Sequence, residues 1–422
     1  MEDLNNNGEP EKAVIAGLAA ESMDPRDRST EESLDELEAL LETAGGVCLG
    51  RALQHRGAPE PRTFIGEGKV SELKEMAQLN DCTLAVFDNE LSPSQMRALS
   101  EDLDLRVIDR SSLILDIFAG RARTREGRLQ VELAQYKYLL PRLTGMWKHL
   151  ASQTGTSAPI GTRGPGETQL ESDRRHIRRK ITKLEEELSE VIRVRDTQRR
   201  LREKNSIPVI ALVGYTNAGK STLLNTLTDA GLQANNRLFD TLDTTTRRMV
   251  VSDTLDVLIS DTVGFIRKLP HHLIEAFKAT LEELKYADLL LHVIDASGKE
   301  REEQTRIVEE LVAQLGAESI PRLNVYNKCD IFSDEIRTVD ADTVEISAKT
   351  GQGVDALLVR VEEILSAAHK TVTLRLPYDK AGVAEMIHRE GAVRDTRYLE
   401  ECIEIDAVVT PELYGRLREY IS

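Results

Sequence analysis

The stretch Val209-Ile-Ala-Leu-Val-Gly-Tyr-Thr-Asn-Ala-Gly-Lys-Ser221 decides the reading of this chain. Five apolar residues of strand type run into a loop with Gly214 and Gly219, then Lys220, Ser221 and the helix-like Thr222–Leu227. Phosphate oxygens need many donors held close, so the backbone must wrap them without side chains in the way. Gly214 and Gly219 permit that wrap, and the amides from Asn217 to Ser221 would point inward at a helix amino terminus. Tyr215, Thr216 and Ala218 complete the loop. Lys220 would reach the β and γ phosphates of a triphosphate, and the Ser221 hydroxyl would ligate Mg²⁺. A glycine turn beside a chance lysine looks the same in isolation, so the rest of the chain has to decide.

Three more motifs follow in a fixed order. Asp261, Thr262, Val263 and Gly264 read D-T-V-G: the carboxylate can hold a metal-bound water and the glycine amide can meet the γ-phosphate. Asn327, Lys328, Cys329 and Asp330 read N-K-C-D, where Asp330 can accept from N1–H and the 2-amino group of guanine. Adenine has neither donor, so a buried Asp330 would be left unpaired by it. Ser347, Ala348 and Lys349 close the set, with the Ala348 amide facing the guanine carbonyl. The ordered set points to GTP. Between the first two motifs lie Phe239, Asp240, Thr241, Leu242 and Asp243, and a threonine here should close over Mg²⁺. Thr241 is the expected ligand and Thr245 the alternative. Phe265 stands where many GTPases place a water-orienting glutamine, which predicts slow intrinsic hydrolysis and no assigned catalytic side chain. Asn217 is of the type that ligates K⁺ in some such loops, or makes an ordinary hydrogen bond.

Outward from this core the pattern is modular. Strand-like Val209–Val213, Met249–Val251, Val257–Ser260, Leu289–Ile294, Leu323–Tyr326 and Val344–Ile346 alternate with helices, which predicts a doubly wound α/β sheet over 207–369. Residues 33–110 read as a small parallel α/β unit, from strands near Gly46–Gly50, Thr83–Phe87 and Leu105–Ile108 and helices Lys69–Leu79 and Pro93–Leu103. Leu113, Ile117, Leu129, Leu133, Tyr136 and Leu140 suggest one long helix; Ile177, Ile181, Leu184, Leu188 and Val191 suggest a second with a heptad seam. A loop rich in Gly, Thr and Pro separates them, so 111–206 is expected to be an antiparallel helical hairpin, although a solvated linker helix would show the second seam too. Residues 370–422 read as a small α+β appendage, with strands Val372–Leu376 and Cys402–Val409 and a helix Ala381–Glu390. Residues 1–32 look polar and acidic, a flexible tail.

The net charge of −17 argues at first against a nucleic-acid partner. Its distribution is uneven: the segment from Arg121 to Ile210 has more Lys and Arg than Asp and Glu, a basic module inside an acidic chain. Arg174, Arg175, Arg178, Arg179 and Lys180 are its densest part, able to neutralise phosphates without reading sequence, or simply to solvate a helix face. No apolar run is long enough to cross a bilayer. Cys48, Cys82, Cys329 and Cys402 lack paired metal spacing and read as thiols in a reducing cytoplasm.

The chain resembles the HflX-type ribosome-associated GTPases. The likeness rests on Gly127-Arg-Leu-Gln-Val-Glu-Leu-Ala-Gln135, Leu140-Pro-Arg-Leu-Thr-Gly145, Arg163-Gly-Pro-Gly-Glu-Thr-Gln-Leu-Glu171 and Asp173-Arg-Arg175. It continues through Phe239-Asp-Thr-Leu-Asp243 and Asp261-Thr-Val-Gly-Phe-Ile-Arg267, and departs at Asp240, where such proteins usually carry a small residue. The resemblance implies an amino-terminal α/β domain with a helical hairpin, a GTPase domain and a small carboxyl domain. It implies binding to the large ribosomal subunit, stimulation of hydrolysis there, and splitting or rescue of ribosomes under stress. Arg163, Arg174, Arg175, Arg178 and Arg179 are then expected near ribosomal RNA. It further implies a cytoplasmic monomer with no membrane insertion, at most with a peripheral membrane-associated fraction. A nucleotide-gated adaptor whose hairpin docks a protein is the competing reading.

Overall fold

The computed structural model describes residues 10–146, 165–203, 207–228, 238–239, 245–252, 255–269, 273, 277, 282–331, 342–368, 370–390, 392–399, 401–409 and 411–421. The chain forms two compact units. Met1–Leu188, Asn235–Leu242 and Ile266–Phe277 make the first; Ser189–Ala234, Asp243–Phe265 and Lys278–Ser422 make the second.

The first unit is built on a parallel sheet of β1 (Glu11–Ala20), β2 (Gly46–Arg56), β3 (Leu84–Phe87) and β4 (Arg106–Asp109), in the order β2-β1-β3-β4. This corrects the reading of 1–32 as a tail. The run Ala13-Val-Ile-Ala-Gly-Leu18 is buried on both faces, as a central strand of a parallel sheet must be. Helices α1 (Glu31–Thr43), α2 (Glu67–Leu79) and α3 (Pro93–Leu103) cover the sheet. Two of them start on reciprocal caps, Thr30 with Ser33 and Ser92 with Gln95, which satisfy amides left free at a helix start.

The expected single long helix is two. α4 (Arg110–Arg121) stops where Ala122 turns extended, and α5 (Arg125–Met146) starts afresh on the Thr124 hydroxyl, which accepts from the Gly127 amide at 3.0 Å. Leu129 and Leu133 are buried in α5, whereas Tyr136 and Leu140 are half-buried and Tyr138 takes the inner position. α6 (Pro165–Glu203) follows, with Leu184 and Leu188 buried. Lys180–Glu132 at 3.1 Å and Lys137–Glu185 at 2.9 Å tie α6 to α5. The glycine-rich loop expected between them lies outside the described residues.

In the second unit the sheet order is β10-β9-β8-β5-β7-β6: β5 (Val209–Gly214), β6 (Thr245–Ser252), β7 (Leu255–Asp261), β8 (Leu289–Asp295), β9 (Arg322–Asn327) and β10 (Thr343–Glu345). All pairs are parallel except β6 with β7, at the edge. Reversal of strand order on either side of β5 creates the crevice at the carboxyl ends of the strands, where such sheets bind ligands. Helices α7 (Lys220–Thr228), α8 (Arg301–Gln314) and α9 (Val354–Ala368) belong to this layer. The carboxyl-terminal sheet is antiparallel, β11 (Lys370–Pro377), β13 (Cys402–Val409) and β12 (Ala392–Tyr398) in that order, with α10 (Ala381–Glu390) and α11 (Pro411–Leu417). β12 escaped the sequence reading because Arg394, Asp395 and Arg397 interrupt its apolar pattern on an edge strand.

Ile15 is fully buried in β1. Ile15→Ala should destabilise the first unit by about 2–5 kcal/mol, the range for emptying a packed aliphatic site. Urea unfolding would show it; a change below about 0.5 kcal/mol would restore the tail reading.

Candidate guanine-nucleotide site

The four motifs meet at the carboxyl ends of β5, β7, β9 and β10, all within the second unit. Gly214 leaves β5 with φ +154, and a Cβ there would strike the Val293 carbonyl. Gly219 has φ +97, and a Cβ there would strike the Asn327 carboxamide. No other residue fits either position. Asn217 between them is left-handed at φ 61, which Asn tolerates better than most.

Lys220 is buried, and its ammonium donates to the Gly214 and Tyr215 carbonyls at 3.0 and 2.8 Å. Burial pushes its pKa down to about 8, against the pull of Asp261 in the other direction. It stays a cation at neutral pH, poised for a stronger anion. Ser221 Oγ donates to Asp261 Oδ2 at 3.0 Å, and Asp261 has no exposed surface. The Thr262 hydroxyl is spent on the Leu212 carbonyl at 2.6 Å, and Val263 is buried. Gly264 lies against the phosphate loop: a Cβ on it would stand 2.8 Å from Thr216 Cγ2 and 3.1 Å from Lys220 Nζ. Phe265 is buried and links its backbone to the loop, donating to Gly214 O at 3.1 Å and accepting from the Thr216 amide at 2.7 Å. Among the described residues the buried Thr216 hydroxyl has no hydrogen-bond partner.

Asn327 binds three motifs together. Its Nδ2 donates to Ala218 O, and its Oδ1 accepts from the Ala348 amide, both at 2.9 Å. Lys328, left-handed at φ 66, pairs with Asp295 at 2.5 Å. Cys329 Sγ turns to the Tyr326 carbonyl at 3.3 Å. Asp330 is exposed, unlike the buried carboxylate the guanine argument assumed, so only the edge of a bound base would desolvate it. Ser347 is buried and accepts from the Thr350 amide, Ala348 O accepts from the Thr226 hydroxyl at 2.6 Å, and Lys349 is exposed. The partners Asp295 and Thr226 carry no motif signature and were not legible beforehand.

Phe239 belongs to the first unit. Its ring is buried there, edge-on to Phe118 at 4.7 Å. Asp240, Thr241, Leu242 and Asp243 lie outside the described residues, as does Arg163. On α6, Arg175, Arg178 and Arg179 are exposed and Arg174 is half-buried. Among the described residues no cluster of three His, Cys, Asp or Glu could hold a metal by itself.

Family models match three consecutive regions: "GTP-binding GTPase N-terminal" at 31–119, "GTP-binding GTPase Middle Region" at 121–202 and "50S ribosome-binding GTPase" at 209–328. A relative named GTPase HflX from Caldanaerobacter subterraneus is 45% identical over 421 residues, covering 100% of this chain and 96% of its own. The chain belongs to the HflX family of GTPases. GTPase HflX of Escherichia coli is 45% identical over 379 residues, 88% of this chain and 86% of that one. A solved GTP-binding protein from Sulfolobus solfataricus in complex with GDP aligns with a TM-score of 0.44 at 24% identity, over 85% of this chain and 99% of that one. As an HflX GTPase the chain binds guanine nucleotide and hydrolyses GTP. Among the described residues no helix is long and apolar enough to cross a membrane.

Removing the Asn327 carboxamide should be felt at both nucleotide ends. Asn327→Ala leaves the Ala218 carbonyl and the Ala348 amide unpaired, at about 1–3 kcal/mol for a buried group, so GDP affinity should fall about tenfold or more in a fluorescent-nucleotide titration. Unchanged affinity would show that the bridge does not shape the pocket. His292, opposite Val213 and Asn324, supplies a pH test. Burial first, then Arg322 and Lys220, push its pKa from 6.5 down to about 3. The unfolded imidazole takes up a proton that the folded one refuses, so stability should fall as pH drops from 6.5 towards 3. His292→Gln should flatten that limb of the urea-unfolding profile; an identical slope would exclude His292 as its source.

Proposed function

We propose that this HflX GTPase couples its nucleotide state to the large ribosomal subunit, and that it splits or rescues ribosomes under stress. The arginine face of α6 carries the reading. Arg175, Arg178 and Arg179 are exposed, with Arg174 beside them, in a chain of net charge −17. Such a face on an otherwise acidic protein suits a ribosomal RNA backbone, neutralised without base readout. Arg163, further along the loop, would extend that contact. The matched family description, a ribosome-binding GTPase, supports the same partner.

Within the nucleotide site the roles follow the geometry. Amides of Asn217 to Ser221 cradle the phosphates, Lys220 swings from the Gly214 and Tyr215 carbonyls to the β and γ oxygens, and Gly264 offers its amide to the γ-phosphate. Ser221 would hold Mg²⁺, with Thr241 or Thr245 as the second expected ligand, and the bound ion would supply charge neutralisation at the phosphates. Asn217 is the candidate K⁺ ligand, with an ordinary hydrogen bond as the other reading. Asp330 selects guanine. Phe265 contributes no polar group to orient water, so turnover is slow until the ribosome supplies what is missing. The protein works in the cytoplasm.

GTP turnover with and without purified large subunits, in K⁺ and in Na⁺, tests this. The expected result is stimulation of at least about tenfold by subunits. The combined change Arg174→Glu, Arg175→Glu, Arg178→Glu and Arg179→Glu should abolish stimulation and flatten the salt dependence of co-sedimentation by about one unit of slope per lost phosphate contact. A variant that unfolds at the parent's temperature yet keeps full stimulation would remove the RNA role of this face.

A further inference from the structure

The segments that flank the nucleotide motifs leave the second unit and end in the first. Gly264 and Phe265 belong to one unit, and Ile266 already to the other; Phe239, just before the expected Mg²⁺ threonine, is likewise in the first. There, one helix meets both. The Phe118 ring of α4 is edge-on to Phe239 at 4.7 Å and to Phe277 at 5.1 Å. At the start of the same helix, Arg110 donates to Asp88 Oδ1 at 2.9 Å and pairs with Glu36. The other oxygen of Asp88 accepts from Lys268, from Ser29 Oγ at 2.7 Å and from Ser33 Oγ at 2.8 Å. Asp88 has no exposed surface, and the Lys268 side chain has only 9%.

Both attached residues are held in unusual backbone. Phe239 has φ 56 and Lys268 φ 51, a left-handed conformation that a bulky L-residue keeps only where its surroundings hold it there. The restraints are the Phe118 ring for one and the Asp88 carboxylate for the other. Beside the ion pair is a cavity of about 210 Å³, lined in part by Met23, Asp27, Asn89 and Leu269, so the ammonium has room to withdraw without repacking the unit.

α4 also carries the hairpin arm. Its cap, the fully buried Asp109, accepts from the Tyr138 hydroxyl at 2.7 Å and from Arg142 at 3.1 Å, both on α5. Arg142 stacks on Tyr138, 3.5 Å from the ring centroid, and donates to the Leu91 carbonyl. Consecutive residues 109 and 110 thus hold the arm on one side and, through Asp88, the end of the D-T-V-G segment on the other.

The geometry points to α4 as the element that links nucleotide state to the helical arm, with Lys268 and Phe239 as positioning residues for the GTP-dependent step. Both are held by contacts inside the first unit. Lys268 acts through the four-residue connection to Gly264, whose amide sees the γ-phosphate in the reading above, and the inference rests on that reading but not on the ribosome. Its physical content is reciprocal: a shift of Gly264 carried along that connection strains or relieves the Asp88 pair, and a shift of α4 carried back along it biases Gly264.

Hydrogen exchange of the full chain, bound to GDP or to a non-hydrolysable GTP analogue, tests it. Amides of 110–121 and of the α5 segment 125–142 should exchange at rates that differ at least about threefold between the two nucleotides. Lys268→Met, which leaves Asp88 paired with Arg110, should erase that difference, and Lys268→Arg should restore it. Phe118→Leu, on another contact of the same helix, should reduce it independently. Identical exchange with both nucleotides in the parent, or a full difference surviving in Lys268→Met, would overturn the assignment. Failure of either nucleotide to bind, scored in the same samples, would instead strike the guanine-nucleotide reading.

Discussion

One carboxamide holds the nucleotide site in register. Asn327 spends its donor on the phosphate loop and its acceptor on the Ser347–Lys349 loop, so the phosphate end and the base end cannot drift apart. Several sequence requirements follow from that single side chain. Gly219 must lack a Cβ because the Asn327 nitrogen occupies the space. Aspartate at 327 would offer no donor to Ala218, and glutamine would overreach by a methylene. Both bonds are buried, where an unmade hydrogen bond is most expensive. The motif is thus a packing constraint as much as a recognition device.

The phosphate loop stores cost that an anion can relieve. Lys220 is an ammonium surrounded by carbonyl oxygens and a single buried carboxylate, and its depressed pKa measures the desolvation it bears. A triphosphate restores its charge balance. Left-handed Asn217 and Lys328 sit in the same loops as the Thr216 hydroxyl, which has no partner among the described residues. Backbone strain and unsatisfied groups concentrate where function needs readiness, and the hydrophobic sheet of β5, β7 and β8 behind them is what keeps such loops in place.

The chemistry of the second unit was legible because it is local. Each motif is a run of residues adjacent in sequence at the end of a strand, and the strands at Val209 and Leu289 announce themselves as apolar runs. What escaped was tertiary. The buried run Ala13–Leu18 was averaged away by the acidic residues on either side, although its lack of alternation is the mark of a doubly covered strand. The break between α4 and α5 depends on one threonine cap that periodicity does not weigh. Phe239 reads as a switch residue in sequence and is a core residue in space, because its partner Phe118 is remote along the chain.

Position 265 shows why a missing glutamine need not be a defect. A phenyl ring cannot orient water, but this one is buried, and its peptide pairs with the phosphate loop through both its N–H and its carbonyl. A polar side chain of glutamine length at that depth would need partners that the apolar surroundings do not offer. The ring therefore fixes the backbone at the point where the chain passes from the second unit into the first. Chemistry given up at the side chain is exchanged for a firm hold on the phosphate loop through the main chain.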